Sequence, residues 1–142
     1  MWSTYLPDAM CCEVDKMSAT ASVLHVTYKL PIVADRDVVL YQEQLLAQAT
    51  LAELFPGEVV PAAAVLAASI QHPAVPPPAG GIIRAKLLIA TTLFTPVNGG
   101  TCILSHQHAD PGGLLPAACV NACVLQGKTQ LKAMRRVMLN RG

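Results

Sequence analysis

The sequence predicts an α+β fold in which a curved antiparallel β-sheet packs on a long C-terminal α-helix. Between residues 11 and 110, short runs of apolar and β-branched residues alternate with turns that contain Pro, Gly, Asn and Asp, which is typical of a β-meander. From Leu114 onward the apolar residues recur in steps of three and four, the period of an amphipathic helix. A length of 142 residues fits one domain, so residues 1–142 are predicted to form a single domain.

Turn residues separate the predicted strands. These strands cover residues 11–17, 20–30, 37–46, 64–71, 82–97 and 101–110. Residues 50–62 are predicted to be a loop because they contain Pro56, Gly57 and Pro61, and residues 72–81 are predicted to be a polyproline-like turn. The sequence Asn-Gly-Gly at 98–100 predicts a tight hairpin, because such residues accept the positive φ angles of two-residue turns.

Composition narrows the class of protein. Hydrophobic residues make up 53% of the chain and charged residues 13%, which excludes an intrinsically disordered chain. The net charge of +1 gives no long-range attraction for nucleic acid, so no nucleic-acid partner is expected. Aromatic residues make up only 4%, and a core of small aliphatic side chains leaves room for a cavity.

The cysteines and the absence of targeting signals favour a cytoplasmic protein. The chain has five cysteines, and this odd number, with Cys11 next to Cys12, does not fit the disulfide framework of a secreted domain. Reduced thiols are therefore expected. The longest apolar stretch, residues 59–70, contains Pro61 and is too short for a transmembrane helix, which needs roughly 20 residues.

Several sequence blocks in a fixed order resemble one known family. KLP at 29–31 is followed by DRDVVL at 35–40, then by SIQHPAVPPPAGGIIRA at 69–85, and finally by ILSHQHADPGGLLPAACVN at 103–121. Together these blocks resemble the START (StAR-related lipid-transfer) domain. The resemblance implies a helix-grip fold whose N-terminal part is missing, since the chain corresponds to the C-terminal two-thirds of the usual domain. It also implies that one lipid is held between the sheet and the C-terminal helix.

The resemblance leads us to expect a lipid-binding and lipid-transfer module rather than an enzyme. Polar groups for the lipid head are expected at His25, Gln42 and Gln44, which follow even spacings with Val23 and Leu40; the alternative is that these side chains face water. Apolar contacts are expected from the helix, where one face presents Val120, Val124, Leu131 and Met134. Asp35, Arg36 and Asp37 are expected to form a gate loop, either by contacting the headgroup or by fixing the loop locally.

Several alternatives stay open at this point. Helix-grip cyclases and dehydratases would use His25, His106 and His108 as acids and bases, and a ligand-free truncated domain would act only in protein interactions. His106, His108 and Asp110 lie at alternating positions and suggest a metal site, but no fourth ligand is evident, so no metal and no cofactor are expected. Four basic residues on the helix could make transient contact with an anionic membrane or form an ordinary solvated face: Lys128, Lys132, Arg135 and Arg136.

Overall fold

The computed structural model describes residues 9–30, 33–57, 59–121, 129, 131–133 and 135–136. The strands are β1 (Ala9–Lys16), β2 (Ala21–Tyr28), β3 (Arg36–Leu45), β4 (Ala63–Ser69), β5 (Ile83–Arg84), β6 (Lys86–Val97) and β7 (Gly100–Asp110). One short helix, α1 (Gln48–Leu54), lies between β3 and β4. The α+β class and the positions of the predicted strands are confirmed.

The strands form one sheet in the order β1-β2-β3-β4-β6-β7, and all of these neighbours are antiparallel. The short strand β5 pairs in parallel with the start of β3. The predicted continuous strand over 82–97 is therefore wrong in one respect, because it is divided at Ala85. The amide of Ala85 donates to the carbonyl of Asp37, so this segment first joins β3 and only then turns into the ladder with β4.

The register assigns every strand residue to one of two faces. Residues paired directly across an antiparallel ladder point to the same side. Leu24 pairs with Leu40, and His25 pairs with Val39. We call the side that carries Leu24 and Leu40 the Leu40 face, and the opposite side the His25 face.

The loop predicted over residues 50–62 is corrected in its first part, because α1 continues to Leu54. Ala, Leu, Gln and Glu are strong helix formers, and Pro56 and Gly57 follow the helix instead of disrupting it. Leu51 is completely buried, and α1 packs against β4. This small helix therefore covers part of the sheet through one apolar anchor.

The hairpin at 98–99 forms as predicted, with Val97 paired to Gly100 and Gly99 at a φ of 80°. Helical conformation is present at residues 117–121, 129, 131–133 and 135–136, in agreement with the predicted change of period after Leu114. No helix in the described part of the chain is long and apolar enough to cross a membrane.

Candidate functional site

The Leu40 face carries the main apolar cluster of the sheet. Leu24, Val26, Val38 and Leu40 are each at most 7% exposed, and partly buried side chains surround them: Cys11, Tyr28, Ala67 and Leu87. Burial raises the pKa of both the Cys11 thiol and the Tyr28 hydroxyl. Both groups consequently stay neutral at physiological pH, so the cluster itself carries no charge, and Glu13 of β1 lies at its border opposite Leu24.

Next to this cluster, a row of residues with two small side chains at its centre crosses the same face. The register places Gln42, Ala67, Ala90 and Gln107 in one row across β3, β4, β6 and β7. Two alanines in the middle of a row leave space that larger side chains would fill. Gln42 is half-buried at one end of the row and Gln107 is exposed at the other. We call this row the alanine trough.

A row with more polar side chains lies beside the alanine trough on the same face. It consists of Gln44, Val65, Thr92 and Ser105, and the hydroxyls of Thr92 and Ser105 are 3.2 Å apart. On the Leu40 face this row lies between the alanine trough and an apolar row of Ala63, Phe94 and Ile103. Such an arrangement can hold an apolar body and orient a polar end.

His25 does not share a face with Gln42 and Gln44, so the expectation that these three polar side chains act together on one face is wrong. Their spacings within each strand are even, but the pairing of Leu24 with Leu40 sets the two strands out of phase by one residue. Gln42 and Gln44 lie on the Leu40 face, and His25 lies on the other. Gln44 is exposed, whereas the His25 side chain is 30% exposed.

His25 instead belongs to a buried ion-pair cluster centred on Asp37. The Asp37 side chain is 4% exposed and contacts Arg84 through Nε and Nη2 at 2.7 and 2.9 Å, and His25 Nε2 at 2.8 Å. Burial alone would raise the pKa of Asp37, but the hydrogen bonds and charges of Arg84 and His25 outweigh it and lower the pKa. Asp37 therefore stays ionised and joins β2, β3 and β5.

The same cluster anchors residues 70–82, which we call the proline arch. Arg84 Nη2 donates to the carbonyl of Pro76 at 3.0 Å, and His72 Nε2 lies 3.6 Å from Asp15 Oδ2 of β1. An open pocket of about 850 Å³ lies between the arch and the sheet, with the buried Val39 of the His25 face in its lining. Arg84 also lines this pocket, but its guanidinium group is already paired with Asp37.

Arg36, the neighbour of Asp37, points to the opposite face and holds a different loop. Its buried guanidinium donates to the carbonyls of Ala34, Pro111 and Gly112, the last two at 2.9 and 3.3 Å. Asp35 accepts a hydrogen bond from the amide of Leu30. All three predicted gate residues thus make protein contacts that fix backbone segments, and Arg36 ties the start of β3 to the turn after β7.

The predicted helix residues are only partly described. Val120 and Leu131 are helical but remain 45% and 40% exposed, so the expected burial of an apolar stripe is not observed there. Strand residues supply the described cluster on the Leu40 face instead. Val124 and Met134 lie outside the described residues, as does Lys128, whereas three basic residues are exposed: Lys132, Arg135 and Arg136.

The histidines do not converge on one centre. His106 and His108 are exposed on β7, and His25 lies on β2, four inter-strand steps of about 4.8 Å away. Across the residues that the structure describes, no three His, Cys, Asp or Glu side chains are arranged to hold a metal ion.

Comparison with known proteins identifies the family. The family model of the START domain matches residues 2–141. The chain belongs to the START domain family. Its fold is similar to that of human StAR-related lipid transfer protein 5, with a TM-score of 0.73 and 16% identity over 97% of this chain. The fold assignment made from the sequence blocks is thus confirmed.

Two further START structures show the same similarity. Human STARD10 gives a TM-score of 0.70 at 16% identity over 98% of this chain, and the lipid transfer and protein localization domain of human StarD13 (DLC2) gives 0.69 at 15% identity over 94%. The chain spans 65%, 55% and 63% of the lengths of these three structures. No curated protein sequence matches the chain significantly.

Four residues of the rows beside the cluster were not predicted from the sequence: Ala67, Ala90, Thr92 and Gln107. Small residues at alternate positions of a strand are a weak signal, because alanine is common in both core and surface positions. Only the register across four strands shows that these residues form one continuous row with Gln42.

Proposed function

We propose that this START domain chain, acting as a single unit over residues 1–142, binds one hydrophobic ligand on the Leu40 face of its sheet and transfers it between membranes. The proposal rests on three adjacent groups of residues on that face: the apolar cluster, the alanine trough and the row that contains Gln44, Thr92 and Ser105. The names of the similar structures, which include lipid transfer proteins, support the ligand class.

The apolar part of the ligand would cover the cluster around Leu40 and the alanine trough. Burial of apolar surface contributes about 25 cal/mol per Å², so an acyl chain or fused ring system gains affinity without any charged contact. The neutral state of Cys11 and Tyr28 keeps charge out of the cluster itself, and Glu13, opposite Leu24 in the ladder, borders it. Gln42, half-buried at the end of the trough, would donate or accept a hydrogen bond with the polar end of the ligand.

The C-terminal helical segment would cover the ligand, with Val120, Val124, Leu131 and Met134 toward it. Arg36 supports this part of the proposal, because it reaches the Pro111 and Gly112 carbonyls from the Leu40 face. The turn that leads to the helical residues is therefore fixed on the same side of the sheet as the trough. Release would require this turn and the 31–37 segment to separate.

Substitutions at two adjacent alanines test the ligand position. Ala67 lies in the trough and Ala68 lies on the His25 face, since Ala68 pairs with Tyr41; both are half-buried in β4. We expect Ala67→Phe to fill the trough and reduce lipid uptake at least tenfold, while Ala68→Phe binds nearly as well as the unmodified chain. Uptake is measured by native mass spectrometry after incubation with vesicles of phosphatidylcholine, phosphatidylethanolamine and cholesterol, with melting temperatures recorded for both variants.

Equal uptake by the two variants would contradict the proposed position. A chain that takes up no lipid from these vesicles, while remaining folded by circular dichroism, would contradict the lipid-binding proposal itself. A Gln42→Leu variant adds a test of headgroup contact. We expect it to change the ratio of bound lipid classes more than their total amount.

Membrane contact during transfer is proposed for the exposed basic residues Lys132, Arg135 and Arg136. Each exposed Lys or Arg near an anionic surface contributes about 1 kcal/mol, and this attraction is screened by salt. We expect transfer from vesicles containing phosphatidylserine to slow as salt is raised, whereas transfer from neutral vesicles should hardly change. An Arg135→Gln/Arg136→Gln variant should lose this difference.

A further inference from the structure

The charged residues of the sheet are distributed unequally between its two faces. Among the described residues, the register places no Asp, Glu, Lys or Arg of β2, β4, β6 or β7 on the Leu40 face. The His25 face carries most of the charged strand residues, including Asp15, Asp37, Glu43, Lys86 and Asp110. The Leu40 face therefore offers a ligand mainly neutral side chains.

Three charged side chains do lie on the Leu40 face, and two of them are already bound. The guanidinium of Arg36 donates to three backbone carbonyls, and Glu13 Oε2 accepts from the Ser22 hydroxyl at 2.8 Å. The third, Lys16, lies beyond Ser22 in the row that contains Gln42, two inter-strand steps of about 4.8 Å from Gln42. The described residues that border the alanine trough directly are therefore uncharged.

Neutral hydrogen-bonding side chains are found at both ends of the alanine trough. Gln42 is half-buried at one end, and its side-chain amide makes no hydrogen bond with another described residue. At the other end, Gln107 lies two positions from Ser105 on β7, and the hydroxyls of Ser105 and Thr92 are 3.2 Å apart. The polar end of a ligand therefore meets amide and hydroxyl groups in either orientation.

Amide and hydroxyl groups differ from charged side chains in the ligand group that they can hold. A glutamine amide both donates and accepts hydrogen bonds, as an alcohol hydroxyl does, so the two groups are complementary. A phosphate ester is ionised, and burial of its charge without a paired cation is costly. The residues around the alanine trough therefore favour a hydroxyl group over a phosphate.

We propose that the Leu40 face selects uncharged lipids whose polar end is a free hydroxyl group, and that Gln42 binds this hydroxyl. The inference rests on the proposed lipid-binding function and names the ligand class within it. Sterols and diacylglycerols share the required chemistry. Phosphatidic acid carries a charge that the residues bordering the trough do not balance.

Pairs of lipids that differ only at the hydroxyl group test the ligand class on the unmodified chain. The probes are cholesterol, dioleoylglycerol, the methyl ether of each, and phosphatidic acid, presented singly in phosphatidylcholine vesicles. Bound lipid is identified and quantified by native mass spectrometry. We expect each alcohol to be taken up about tenfold more than its methyl ether, which cannot donate a hydrogen bond, and phosphatidic acid to be taken up least.

Substitutions test the role of Gln42 in this selection. Gln42→Leu should abolish the preference for alcohol over ether, whereas Gln71→Leu is the matched control, because Gln71 lines the pocket between the proline arch and the His25 face. Gln42→Arg should raise the uptake of phosphatidic acid several-fold, since it supplies a cation that binds phosphate. Lys16→Gln should leave the uptake of all probes unchanged. Melting temperatures are recorded for every variant.

Equal uptake of the alcohols and their methyl ethers would overturn the inference, as would preferential uptake of phosphatidic acid by the unmodified chain. Both results would leave the proposed function intact, because lipid would still be bound. A folded chain that takes up neither the probes nor phosphatidylcholine would contradict the proposed function itself. A preference for alcohol that survives in Gln42→Leu would overturn the role assigned to Gln42.

Discussion

Replacement of Arg84 by Met tests the role of the buried cluster around Asp37. The change removes two hydrogen bonds to a carboxylate that is 4% exposed, and leaves His25 as its remaining side-chain partner. Removal of one member of a buried ion pair costs 3–5 kcal/mol, as an order of magnitude. Because the Arg84 side chain is 28% exposed, we expect the lower end of this range, about 3 kcal/mol. For a domain of this size, this lowers the melting temperature by about 10 °C.

The loss of stability caused by Arg84→Met is expected to depend on pH. In the folded chain the pKa of Asp37 lies below its ordinary value of 3.8, so its ionised form contributes stability above that pH. This contribution is lost as pH falls through the folded pKa. In Arg84→Met the main cause of the lowered pKa is gone, so the difference in stability between the two chains should shrink as pH falls below about 3.8.

Urea denaturation followed by circular dichroism, at neutral pH and at several acidic values, measures both effects. Arg135→Met is the control, since Arg135 is exposed and its removal should change stability by less than about 0.5 kcal/mol. A cost for Arg84→Met below about 1 kcal/mol, or a cost that is the same at all pH values, would refute the role assigned to this ion pair.

Three further substitutions test other structural assignments. Gly112→Ala should destabilise the fold by about 1–3 kcal/mol, because φ is +67° and the new Cβ would lie 3.0 Å from the Ile83 side chain and 3.2 Å from the Arg84 carbonyl oxygen. Gly80→Ala is the control: its φ is similar but its surroundings are open, so it should cost only about 1 kcal/mol. Leu51→Ala should cost about 3 kcal/mol in urea denaturation, whereas Leu54→Ala, 51% exposed, should cost less than about 1 kcal/mol. Arg36→Met should speed hydrogen exchange of the turn that follows β7 while that of the β2–β3 ladder stays slow; unchanged exchange in the turn would mean that Arg36 does not fix it.

Strand positions were predictable because β-branched runs and turn residues repeat in the printed sequence. The hairpin at Asn98-Gly99 is the clearest case, since its turn requires a positive φ and the residues supply it. The helix α1 was missed because it has only seven residues, and the Pro and Gly that follow it dominate the local pattern. The sequence blocks around Arg36, Arg84 and Pro111 predicted the family, and hence the fold, more reliably than periodicity alone.

The site was less predictable because it depends on register. His25 and Gln42 each follow an even spacing within their own strand, and nothing local reveals that the pairing puts them on opposite faces. The side-chain partners of Asp37 could not be predicted from the local sequence either. Arg84 is 47 residues away in the chain, and only the parallel pairing of β5 with β3 brings it to the carboxylate.

The junction of Arg36 and Asp37 also constrains the order in which the chain folds. Its long-range contacts join residues 47 and 75 positions apart, whereas β6 and β7 meet across a two-residue turn. Contacts between distant residues require closure of long loops, so local hairpins gain their stability first. We infer that the β6–β7 hairpin forms early and that two neighbouring side chains at the start of β3 then complete the structure. Because these contacts form last, substitutions at this junction should mainly speed unfolding and leave early formation of the hairpin unchanged, which is the kinetic consequence of placing both long-range contacts at one peptide.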